Sequence, residues 1–158
     1  MRIFFLVVVM GVFLLSCDSS RVFENYVEFK DKTWKVQEHT TFDFVIADTT
    51  SNYNICYSVR NSLDYPYARL FIEYTLSDSV GNPIEKKLVS HYLFDQKTGK
   101  PEGRSGLGDV YDHQFPLLLQ HAFKSPGRYR LELEQFNRQD TLPGILAVGV
   151  RVETVTLD

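Results

Sequence analysis

Four histidines, two cysteines and a few closely spaced acids are the residues of this 158-residue chain that could carry chemistry. A zinc centre needs three or four convergent ligands, signalled by His pairs at short spacing or by Cys-x-x-Cys. His39, His91, His113 and His121 are dispersed and match neither pattern, so no metal and no cofactor is expected. Hydrolysis by a serine nucleophile would call for a Gly-x-Ser-x-Gly elbow, and the chain has none. Asp112-His113 with some distant serine is a combination that any protein of this size offers. Glu132 and Glu134 lie on one face if their segment is a strand, which reads as solvent surface rather than as a pair flanking a glycosidic bond. No catalytic residue is therefore expected. Cys56 sits in the apolar-rich run from Tyr53 to Val59 and reads as a small buried hydrophobe.

Cys17 is the exception. Met1-Arg2 supplies a positive start, and Ile3 to Leu15 is an apolar run of secretory length, too short to span about 30 Å of hydrocarbon as a mature helix. Residues 1–16 are expected to be a cleaved signal peptide. The junction Leu14-Leu15-Ser16-Cys17 resembles the lipobox of bacterial lipoproteins, which implies a thiol that is diacylglycerated and an amine that is acylated after cleavage. One acyl chain binds a membrane marginally, whereas three, at about 0.8 kcal/mol per buried CH2, hold a protein durably. With Cys17 acylated, Cys56 has no partner, so the body must stand without a disulfide.

The elements that would position any site are strands. Tyr129 to Glu134 alternates strictly, with Tyr129, Leu131 and Leu133 on one face and charges on the other. Val148 to Glu153, Ala68 to Leu76, Phe42 to Ile46 and Tyr53 to Arg60 repeat the pattern, Phe71 adding an apolar group on the second face of its segment. Turn chemistry separates them: Asp78 to Pro83 reads as a hairpin loop, Ser125-Pro126-Gly127 introduces a strand, and Pro143-Gly144 precedes another. The expected fold is all-β, an antiparallel β-sandwich, jelly-roll or Ig-like, over residues 23–158, with 17–22 as a lipidated tether.

The irregular segment Asp95 to Asp109 is long for a connection. Its glycines do not fit a phosphate-binding loop, and a flexible or partner-binding surface is the expectation, with Asp95, Gly103, Gly106, Gly108 and Asp109 as its marked residues. Seventeen basic against 20 acidic residues exclude a phosphate-neutralising stripe, so nucleic acid is not an expected partner. Nine Tyr, twelve Phe and Trp34 leave glycan stacking open as an alternative, with Tyr65-Pro66-Tyr67 the segment to watch, although most rings fall on the apolar phase of strands.

Past Cys17 the chain resembles the gliding-motility lipoprotein GldH family of Bacteroidetes. The resemblance is carried by Trp34 ahead of Phe42-x-Phe44, Val59-Arg60-Asn61, Tyr65 to Leu70, the Gly103 to Tyr111 segment, Pro126-Gly127-Arg128-Tyr129 through Gln135-x-x-Arg138, and Leu142 to Ile145 running into Val148-Gly149-Val150. Arg69 stands where that pattern has Asn, and Asn137 where it has Met. It implies an outer-membrane lipoprotein of the gliding and type IX secretion apparatus, acting by contacts with other envelope proteins and not as an enzyme. A single acid after the cysteine, Asp18, implies the periplasmic face. Exported proteins of that phylum are O-glycosylated at Asp-Ser/Thr followed by certain apolar residues or Thr, and Thr49, Ser79 and Thr141 stand in such contexts, all in expected turns.

Overall fold

The computed structural model describes residues 19–155. Eleven strands are present among them, and the alternation in sequence explains most: β1 (Arg21–Glu28), β2 (Thr33–Lys35), β3 (Thr40–Ile46), β4 (Tyr53–Ser62), β5 (Arg69–Ser77), β6 (Pro83–Tyr92), β7 (Arg104–Ser105), β8 (Val110–His121), β9 (Gly127–Gln135), β10 (Thr141–Pro143) and β11 (Ile145–Thr154). One sheet has the order β1-β11-β4-β8-β7, the other β3-β9-β5-β6, and β10 pairs with β2 as a small ribbon.

The pairings are nested. β5 pairs with β6, β4 with β8, β3 with β9 and β1 with β11, all antiparallel, as though one long hairpin with its tip at residues 78–82 had been rolled up. Two four-stranded sheets joined in this way form a jelly roll, with β7 as an added edge piece, and this decides between the two sandwich types left open by the sequence. Alternation puts Tyr53, Ile55, Tyr57 and Val59 of β4 inward against Leu70, Ile72, Tyr74 and Leu76 of β5, all buried. Trp34 is fully buried beneath the ribbon, its indole N–H donating to the Glu38 carbonyl at 2.8 Å.

Three expectations need correction. Arg21 and Val22 belong to β1, not to a tether, because β1 pairs with β11 from Arg21↔Glu153 onward. The segment Asp95 to Asp109 is organised rather than irregular: Asp95 Oδ1 accepts from the Lys97 and Thr98 amides, Phe94 bridges Pro101, and β7 pairs with β8. Thr141 opens β10 opposite Lys35 and is not in a turn.

The connectivity gives the sandwich two poles. At the first, the chain enters at Ser20, whose carbonyl accepts from the Thr154 amide at 2.8 Å, and the connections 47–52, 78–82 and 122–126 cross there. Phe44, Tyr53, Phe123 and Tyr129 pack ring against ring beneath them. At the second pole lie the longer connections: 29–39 with β2, 63–68, 93–109 with β7, and 136–144 with β10. A ten-residue strand such as β4 separates the poles by about 33 Å.

Candidate functional site

The outer faces of the two sheets carry different chemistry, set by which residues fall on the outward phase. On the first sheet, Ser58 and Arg60 of β4 stand beside Gln114 and Asp112 of β8, and across β11 the small Gly149 lets the Tyr26 ring of β1 lie flat on the strand. A Cβ at residue 149 would sit 2.4 Å from that ring. The result is a polar groove of about 570 Å³ walled by ion pairs: Arg60 Nε to Asp112 at 2.8 Å, and Arg151 with Glu24 and Glu153. Glu24 is held below the usual carboxylate range by its hydrogen bond from Arg21, with Arg151 adding to it. Every charge here except those of the 102–104 arm has an opposite neighbour, so the groove is close to neutral.

On the second sheet the outward phase is apolar near the second pole. Tyr67, Phe71, Leu88 and Phe136 line a groove of about 740 Å³, with Arg69 and Arg138 on its rim. Leu88 is 47% exposed and Phe136 52%. The Arg69 guanidinium lies 5.0 Å from both the Phe71 and Tyr92 ring centroids, and donates to Ser90 Oγ at 2.7 Å. Asn137 fixes the floor: its Oδ1 accepts from the Phe71 amide at 3.0 Å, while the Phe136 amide donates to the Phe71 carbonyl at 2.9 Å. Arg69 and Asn137 both line this one groove. The visible sequence signal was Phe71, apolar on the wrong phase of its strand; Leu88 and Phe136 gave none.

The expected site residues distribute as follows. Cys17 and the 1–16 segment lie outside the described residues. Thr49 is half-buried and Ser79 exposed, both in connections at the first pole; Thr141 is exposed at the second. Asp48 beside Thr49 accepts from Thr50 and Ser51, which lowers its pKa to about 2. Asp95 organises its own turn, as Asp78 does in the β5–β6 hairpin, and both carboxyls are shifted down by those hydrogen bonds. The Gly106 amide donates to Val110 O at 2.8 Å, and Leu63 N donates to Asp109 O at 3.2 Å. Gly108 takes the left-handed region at φ 71°, and Gly103 packs its Cα where a Cβ would meet His113 Nε2 at 2.6 Å. The structure gives all five marked residues of this arm a part in folding it.

Asp112 and His113 are separated by strand alternation. Asp112 faces out to Arg60, while His113 is buried against Phe115, so the two neighbours are turned to different partners. Tyr65 of the segment watched for glycan stacking is buried, its hydroxyl donating to the Arg69 carbonyl at 3.0 Å, and thus offers no sugar platform. Tyr26 is the aromatic of the polar groove that remains open.

The structure does join residues that the sequence separates. His39 Nδ1 lies 2.8 Å from Glu132 Oε1 and its Nε2 3.7 Å from Glu134 Oε2, across a sequence gap of 93 residues for the first pair. These three side chains are the one group among the described residues with ligand atoms close enough to share a cation. Each ring nitrogen addresses a different carboxylate, Nδ1 at hydrogen-bond distance from Glu132 and Nε2 at the longer distance of an ion pair from Glu134.

The described residues define an all-β sandwich, a jelly roll with open grooves on its outer faces. A family model described as GldH lipoprotein matches residues 21–152, and the chain belongs to that family. It is 27% identical over 150 residues to the gliding motility lipoprotein GldH of Flavobacterium johnsoniae, covering 90% of this chain and 91% of that one. It is 28% identical over 148 residues to a GldH homolog of Christiangramia forsetii, covering 87% and 86%. Among solved structures, a family GH115 4-O-methyl-α-glucuronidase is similar at TM-score 0.42 and 13% identity, over 87% of this chain and 17% of that one, a level from which nothing about function is drawn.

Proposed function

We propose that this protein is a lipid-anchored component of the gliding motility and type IX secretion apparatus, held by Cys17 at the periplasmic face of the outer membrane and acting as an assembly or scaffolding element through protein contacts. The membership of the GldH lipoprotein family and the names of its relatives support the lipoprotein and gliding-motility part of this reading. The observation that carries the mode of action is the polarity of the fold. The chain enters at one pole, where Ser20 is tied to Thr154, while the long connections and the exposed apolar groove gather at the other. An anchor at one end leaves the opposite end presented to partners.

Two tests address this. Labelling with an alkyne fatty acid should tag the native protein and not Cys17→Ser; absence of label on the native protein overturns the anchor. Deletion of the gene should reduce the secreted proteins that use the apparatus, with complementation by the native form and not by Cys17→Ser; an unchanged secretome overturns the process. We further propose Thr49, Ser79 and Thr141 as glycan acceptors. An intact mass equal to polypeptide plus lipid would reject them.

A further inference from the structure

We propose that the groove formed by Tyr67, Phe71, Leu88 and Phe136 receives an acidic, apolar segment of a partner protein, with Arg69 gripping a carboxylate of that segment and the rings taking the side chains beside it. The proposal rests on the reading that this domain acts by protein contacts, and it names the surface and the chemistry of the partner.

The charge pattern selects the occupant. Arg21, Arg60, Arg130 and Arg151 each have a carboxylate within salt-bridge distance, whereas no salt bridge is formed among the described residues by Arg69, Arg104, Arg128 or Arg138, and two of these four, Arg69 and Arg138, border this groove. Arg69 is nonetheless held: its guanidinium lies 5.0 Å from the Phe71 and the Tyr92 ring centroids, and Ser90 Oγ accepts one of its five N–H groups. The remaining donors form a planar fork pre-set for a carboxylate, and such a fork loses little freedom on binding. In a chain of net charge −3, two unneutralised guanidinia beside one apolar groove are a local reversal of sign.

The apolar part is equally prepared. Phe136 follows β9 directly, and its backbone is pinned to β5 by the bond from its amide to Phe71 O and by Asn137 Oδ1 on the Phe71 amide. Asn137 Nδ2 reaches the Tyr65 hydroxyl at 3.4 Å, and that hydroxyl donates to Arg69 O, so groove floor and clamp residue share one network. An exposed aromatic–Leu cluster rimmed by arginine has the composition of an interface hot spot. A bilayer lies at the other pole under the proposed anchoring.

The test uses the full-length lipoprotein in its own envelope, with the photo-crosslinker p-benzoylphenylalanine placed at Phe136, at Leu107 on the distal arm, or at Val80 at the anchor pole. Irradiation at Phe136 should yield an adduct with another protein, and mapping of the crosslinked peptide should find Asp or Glu within a few residues of an apolar side chain. Arg69→Glu should lower that adduct about tenfold or more, and changing the mapped acid to Lys should restore it. Circular dichroism of the purified Arg69→Glu protein checks that it folds; Phe71→Ala provides a second variant with the crosslinker in place. An adduct with a second copy of this chain, with lipid or with glycan, an adduct indifferent to Arg69→Glu, or none at all from Phe136 overturns the proposal. A protein adduct from Leu107 without one from Phe136 overturns the groove alone, whereas silence from both distal positions counts against the scaffold reading itself.

Discussion

His113 carries a ring nitrogen, Nε2, that is buried without a hydrogen-bond partner among the described residues. Burial pushes its pKa down, as it does for His91 and His121. The sign follows from linkage: below about pH 6.5 the unfolded chain takes up protons that the folded histidines refuse, so stability is full above that value and falls as pH drops through it. His113→Leu should therefore flatten the decline. Urea unfolding at pH 7.5 and 5.5 should show a smaller loss for the variant, with stability at pH 7.5 unchanged or slightly raised because an orphaned polar atom has gone. A steeper acid loss in the variant would mean that His113 gains a partner on protonation. At the same scale, Gly103→Ala should destabilise, since its Cβ would lie 2.8 Å from the Asp112 carbonyl, which cannot turn aside as a side chain can.

Element by element, the strands β3, β4, β5, β9 and β11 could be read from sequence because every second residue, the inward-facing one, is apolar over most of their length. β8 could not: Phe115-Pro116-Leu117-Leu118-Leu119 has no period, and the pairing with β4 shifts register between Tyr53 and Cys56. Pro116 is tolerated because β7 pairs with β8 only at Tyr111 and Asp112, leaving the rest of that edge unpaired on the far side. β1 was hidden by outward Val22 and Tyr26, apolar residues on its exposed phase. The clustering of His39 with Glu132 and Glu134, and the groove built from β5, β6 and the residues after β9, depend on strand order, and no single-strand pattern encodes strand order. The turn Pro143-Gly144 was legible as a turn but not as a crossing point. Gly144 has φ 80°, donates to Lys32 O, accepts from Ser62 N, and lies so close to Tyr65 that an added Cβ would overlap its backbone nitrogen. Gly144→Ala should cost about 2 kcal/mol or more, read as a lower urea midpoint at unchanged slope. A loss within a few tenths of a kcal/mol would show that the three segments can part without consequence.

For the whole molecule, the nested pairing ties both ends of the described chain together at one pole, and under the proposed anchoring this fixes how the body stands on the membrane. Ser20 is held by Thr154 through its amide and through Oγ1 at 3.1 Å, so only Asp18 and Ser19 lie between Cys17 and a fixed point. Three residue steps reach about 10 Å at most. That reach is short against the roughly 33 Å between the poles, so the 47–52 and 78–82 connections should lie near the headgroups and the Leu107 arm should project away. A cysteine in place of Val80 should react slowly with a polyethylene-glycol maleimide when the lipidated protein is in vesicles, and fast when the body is made from Asp18 onward without lipid. A cysteine in place of Leu107, 97% exposed, should react at the same rate in both. Cys56→Ser serves as the background for both variants, because Cys56 is only half-buried on the outward phase of β4 and not the buried hydrophobe expected, although partial burial raises its pKa and slows its reaction. Equal protection of both positions in vesicles would mean that the sandwich lies along the bilayer, and the distal groove would then face lipid instead of a partner.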